Sequence, residues 1–141
     1  MKKTMLLAII AIATIVVSCK QEKKEESPSQ MEQIMAVHDE VMPEMNTINK
    51  LISELEKKTD TTEMAIKYQE AKTNLMDAHT AMMDWMKGFG DRFDSDEILK
   101  GKALTEEKQK WLDEEEVKVK EMRDKVNSSI AEAKKLLGLE E

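Results

Sequence analysis

Apolar residues recur at spacings of four and three through Met64, Tyr68, Ala71, Leu75, Ala78, Met82, Trp85 and Phe89. An α-helix places residues three and four apart on one side, so the alternation lines up a single apolar face and excludes a strand, whose period is two. Two further segments carry the same period. Ile34, Val37, Val41, Ile48, Leu51 and Leu55 form a stripe upstream, and Trp111, Leu112, Val119, Met122, Val126, Ile130, Ala133, Leu136 and Leu137 form one downstream. With four glycines, two prolines and 36% charged residues, the composition suits long helices with solvated outer faces. The fold expected is all-α: an elongated antiparallel three-helix bundle over residues 30–141, with short links making neighbours run up, down and up. At about 1.5 Å per residue each helix would span roughly 40 to 50 Å.

Local signals set the expected boundaries. Ser27 reads as the N-cap of the first helix, with Pro28 at N1 and Gln30 at N3. Pro43 removes a bond to the carbonyl of Asp39 and disfavours helical geometry at Met42, so a kink within one continuous helix is expected near residues 39–43, because the apolar period continues in phase. Residues 57–62 form a turn in which Asp60 caps the second helix and Glu63 completes a capping box. Gly88 and Gly90 weaken that helix, and its end is expected within residues 87–93. The acidic stretch 91–102 is expected to be irregular, with one turn over residues 95–99; its acids lack the alternating oxygens and central glycine of an EF-hand loop. Thr105 caps the third helix and Gly138 stops it.

The N-terminus speaks to location. Lys2 and Lys3 precede an apolar run of 13 residues, 5–17, which suits a signal peptide and is too short to span a bilayer. The run ends in Val16-Val17-Ser18-Cys19, where the chain's one cysteine follows a small residue. This resembles the bacterial lipobox, which is cut before a cysteine carrying diacylglycerol, and it implies a signal peptide at 1–18 and a mature chain starting at lipid-modified Cys19. A lone cysteine has no intramolecular disulfide partner, and the lipobox accounts for it. Several acyl chains on one residue anchor stably where a single chain does not. Residues 19–29 then hold the anchor and a flexible, charged tether. Lys20, in place of Asp after the cysteine, resembles lipoproteins sent on to the outer membrane.

Charge narrows the partners. The signal holds two of the 22 basic residues and no acid, so the mature chain carries 20 bases against 29 acids, a net charge of −9. Such a balance excludes nucleic acid and anionic lipid as partner surfaces, while leaving the membrane reachable through Cys19. Long heptads can also pair between chains, so a protein partner or a homodimer is compatible with the pattern. No nucleotide loop or nucleophile elbow is present, and His38-Asp39-Glu40 cannot act as one catalytic group because consecutive helical residues point about 100° apart. The expectation is a non-enzymatic protein.

A second stripe bears on ligands. Met31, Met35, His38, Met42 and Met45 lie on one side of the first helix, while His79, Met82, Met83 and Met86 lie on or beside the apolar face of the second. Measured from a turn near Asp60, His38 falls level with Met82 and Met42 with His79; from a second turn near Leu99, Met122 falls within about a turn of His79. His38, Met42, Met45, His79, Met82, Met86 and Met122 are thus a candidate thioether and imidazole set, suited to copper as Cu(I) or another soft metal. Against it stands plain packing: methionine fills irregular cores, and a histidine at a core edge satisfies itself with an acid such as Asp39 or Asp84.

The segments at residues 35–43 (MAVHDEVMP), 78–87 (AHTAMMDWMK), 89–94 (FGDRFD) and 101–108 (GKALTEEK) resemble small envelope lipoproteins of Bacteroidota-type bacteria, a group often labelled "viral A-type inclusion protein". The resemblance covers most of the mature chain and implies an envelope lipoprotein, with no functional residues carried over. In such bacteria Asp60-Thr61-Thr62 also resembles an O-glycosylation motif, with Thr61 as acceptor; a simple helix cap is the other reading of the same residues.

Overall fold

The computed structural model describes residues 28–58 and 63–139. The signal peptide, Cys19, most of the tether and the Asp60-Thr61-Thr62 turn lie outside the described residues. Those described are helical and contain no strand: α1 (Gln30–Val41), α2 (Glu44–Glu56), α3 (Glu63–Arg92), α4 (Ser95–Leu99) and α5 (Glu106–Leu137).

The first helix begins two residues later than Ser27 as cap would have it. Ser29 is the N-cap: its hydroxyl accepts from the Glu32 N–H, and its own N–H donates to Glu32 Oε2 at 2.6 Å. A carboxylate at N3 is a stronger acceptor than the Gln30 amide and sits at the positive end of the helix, which decides the register. The expected single kinked helix is instead two helices. Met42 and Pro43 both keep right-handed helical torsions, yet Met45 and Asn46 bond three residues back, to Met42 at 3.3 Å and Pro43 at 3.2 Å. Pro43 has no N–H to give Asp39, so one tight turn replaces the regular ladder. The apolar stripe passes through the break in phase, and Ile34, Val41, Ile48, Leu51 and Leu55 are all buried.

α3 continues through Gly88 and Gly90 to Arg92. Phe89 and Phe93 are both buried, and the Phe93 N–H reaches the Phe89 carbonyl at 3.1 Å, so core contacts outweigh the poor helix propensity of two exposed glycines. The turn expected over residues 95–99 is the short helix α4. Asp94 caps α4, accepting from the N–H groups of Asp96 and Glu97 at 3.0 Å, while Glu97 accepts from Asp94 N–H at 2.8 Å. Thr105 caps α5, and Gly138, at φ 68°, closes it where a left-handed residue is needed.

Polar pairs fix how the long helices lie. Late α3 meets early α5 through Arg92 and Glu114 at 2.7 Å, and early α3 meets late α5 through Asn74 and Glu132 at 3.0 Å. Early α1 meets early α5 where Gln30 donates to Asp113 at 3.0 Å and Glu116 at 2.8 Å. α2 packs on both α3 and α5, whereas α1 packs on α5. One apolar cluster runs the length of these contacts, from Met31 and Leu55 to Phe93 and Ala133. Among the described residues no helix is long and apolar enough to cross a membrane.

Candidate functional site

Two regions concentrate the chemistry, and a ladder of rings joins them. His38 lies 5.8 Å from Trp85 between ring centroids, Trp85 stacks on Phe89 at 4.9 Å, and Phe89 meets Phe93 at 4.9 Å. Offset and tilted ring pairs at these separations add to what burial alone contributes.

At the His38 end the ladder opens into the seam between α1 and α3. The His38 side chain is 16% exposed and its Nδ1 lies 2.9 Å from Asp39 Oδ1. An ionised carboxylate can only accept, so Nδ1–H is the donor of this bond, and the neutral tautomer that fits it has its lone pair on Nε2. Met35 is half-buried beside His38 on α1, and Met42, one turn on, is 44% exposed. On α3, Met83 and Met86 are half-buried beside Trp85. They share a flank with His79 and with Lys72, whose Nζ reaches Glu56 of α2 at 3.6 Å.

The seven-residue Met/His set is distributed unevenly. Met45 and Met122 are buried and Met82 has no exposure, so all three serve the continuous core. Met122 also lines a groove of about 390 Å³ between α3 and α5, with Ala81, Asp84, Trp85, Lys118 and Lys125. His79 stands six residues before Trp85, about 9 Å along the helix. The structure therefore brings His38 to Trp85, with Met42 one turn on at the C-cap of α1 and Met86 next to Trp85 in sequence. Among the described residues no three His, Cys, Asp or Glu side chains converge as a metal-holding group. Trp85 Nε1 is buried there without a hydrogen-bond partner.

At the other end of the ladder the groups are ionic. Glu115, on the core side of α5 with its side chain 3% exposed, meets Arg92 at 3.0 Å and Lys118 at 2.9 Å. Arg92 also holds Glu114 and lies 5.6 Å over the Trp111 ring, a cation–π contact. Buried Glu97 takes Lys108 at 2.6 Å, and that ammonium sits 6.0 Å from the Phe93 centroid. The Lys102 ammonium, at 2.8 Å, and then the Glu97 N–H pull the Asp94 carboxyl down to about 2. Lys108, followed by the Asp94 N–H, lowers Glu97 as well. Carboxylates held so firmly as anions do not exchange protons near neutrality; they brace the α3–α4–α5 connection.

Glu97 and Glu115 are absent from the sequence-level set of important residues. Both had a signal. Glu115 occupies the heptad position between Leu112 and Val119, and Asp94-x-x-Glu97 has capping-box spacing. No family model, curated protein or solved structure matches the chain.

Proposed function

We propose that this chain is a lipid-anchored protein of the bacterial cell envelope, an elongated helical body tethered through Cys19 and acting by binding or mechanical support rather than by turnover. The observation that carries the reading is the junction of Lys2 and Lys3, the 13-residue apolar run and Ser18-Cys19. In this reading α1 with α2, α3 and α5 are the three arms of an antiparallel bundle running up, down and up. Two features support it. The net charge of −9 on the mature chain keeps the body off anionic headgroups, so attachment falls to the acyl chains. The most strongly perturbed carboxyl, Asp94, is occupied in a helix cap and an ion pair.

Lys20 after the anchor favours the outer membrane, facing either the periplasm or the exterior. The test is metabolic labelling with palmitate in the native host. Label on the wild type that is lost in Cys19→Ser is the expected result; an unlabelled wild type, or equal label in the variant, would overturn the anchor.

A further inference from the structure

α1 lies along α5, and it meets α3 where His38 lies 5.8 Å from Trp85, with Met35 and Met86 half-buried against the apolar cluster on either side. We propose that this seam is a site for a soft monovalent metal of the Cu(I) class, with His38 Nε2 and the thioethers of Met42 and Met86 as donors and the face of Trp85 beside the ion.

Each part of the site has an independent physical reason. The Asp39 carboxylate can only accept, so His38 Nδ1–H donates to it across 2.9 Å and Nε2 is left as the ring's lone-pair donor to a metal. A carboxylate on the far nitrogen is the arrangement that orients metal-binding imidazoles and raises their basicity. Met42 is four residues on, hence on the same side of the helix, and its 44% exposure leaves its thioether unclaimed by the core and open to an arriving ion. Pro43 follows directly, so this thioether sits at the break in the helical ladder. Met86 is adjacent to Trp85 and half-buried, on the same flank of α3 as Lys72, which reaches Glu56 of α2. Three rotatable bonds let each methionine bring its sulfur to an ion without backbone movement.

The donor set decides the metal. One neutral imidazole and two thioethers supply no negative charge, which disfavours Mg²⁺ and Ca²⁺, while polarisable sulfur suits Cu(I). An electron-rich indole face next to the site stabilises a cation further. Met45, Met82 and Met122 stay with the core, so the ion needs no opening of the packed interior. The inference rests on the described helices alone and stands or falls separately from the lipid anchor.

The experiment uses the full chain carrying Cys19→Ser, in detergent. That substitution removes the one thiol, which would otherwise bind Cu(I) through sulfur. Cu(I), kept reduced by ascorbate, is titrated against a chromogenic Cu(I) chelator. The expected result is one equivalent withheld from the chelator, with quenching of Trp85 emission in a Trp111→Phe background. His38→Gln and Met42→Leu/Met86→Leu should each weaken binding at least ten-fold, while Met64→Leu/Met76→Leu, at exposed positions outside the seam, should not. Leucine preserves volume, so circular dichroism of the Met42→Leu/Met86→Leu protein should match the parent and separate loss of ligands from loss of fold. Ag(I), a diamagnetic stand-in, should shift the methyl resonances of Met42 and Met86. No copper withheld, or withholding unchanged in both seam variants, would overturn the proposal; shifts at other methionines alone would overturn this ligand set.

Discussion

The two ends of the aromatic ladder are held by different physics. Where α3 passes through α4 to α5, directional contacts dominate: Glu115 between Arg92 and Lys118, Glu97 on Lys108, Asp94 on Lys102 and two backbone N–H groups. In the seam between α1 and α3, shape dominates: ring faces, flexible thioethers and one imidazole anchored to its neighbour. A network of buried charges has one good arrangement and fails when a member is lost, whereas methionine contacts can be remade in several ways. The connection is therefore suited to setting the path of the chain, and the seam to adjusting around something that enters it.

The largest expected effect breaks the connection. Arg92→Ala leaves buried Glu115 with Lys118 as its remaining partner and should cost about 3 kcal/mol in a urea melt, whereas Arg92→Leu/Glu115→Leu should recover most of that loss, because an apolar pair needs no counter-charge. In the core beneath the seam, Met82→Ala should cost about 2 to 3 kcal/mol through the cavity it opens, while Met82→Leu should stay within about 1.5 kcal/mol. Two such different costs at one position are the mark of packing by shape.

Acid should act on the connection through Asp94. The Asp94 carboxyl titrates near 2 when folded, below its ordinary 3.8, so it binds fewer protons folded than unfolded. Its stabilisation is complete above pH of about 4 and is lost as the pH falls toward 2. Asp94→Ala should lower the urea midpoint at neutral pH and flatten the dependence of that midpoint across this window. Smallest of all, Met42→Leu should change stability by less than about 0.5 kcal/mol, since the side chain is 44% exposed. A large loss there would show the seam to be a rigid core and collapse the contrast.

Periodicity made the helical class legible: Ala71, Leu75, Ala78, Met82, Trp85 and Phe89 are all buried in α3, and Thr105 and Gly138 bound α5 as their chemistry requires. Three features escaped for identifiable reasons. Ser29 displaced Ser27 as the cap because the acid that completes the box is Glu32, a choice between two serines either side of Pro28. Pro43 reads equally as a kink or a break, and the outcome depends on whether the following N–H groups find carbonyls three or four residues back. Glu115 has the heptad position of a core residue and the chemistry of a surface one, and only its tertiary partner Arg92 resolves the conflict. The same limit applied to ligands. Spacing alone placed seven methionine and histidine residues near one level, while burial separates His38, Met42 and Met86 from Met45, Met82 and Met122 in the core, and half-buried His79 stands about 9 Å along α3 from Trp85.

The envelope reading rests on residues 16–19, and one mass spectrum of the protein purified from its native host addresses it directly. The account predicts a chain beginning at Cys19, heavier than residues 19–141 by a diacylglycerol and any added acyl chain, with a sugar increment as well if Thr61 is modified. A chain with an unmodified Cys19 thiol, or one cut elsewhere, would contradict it.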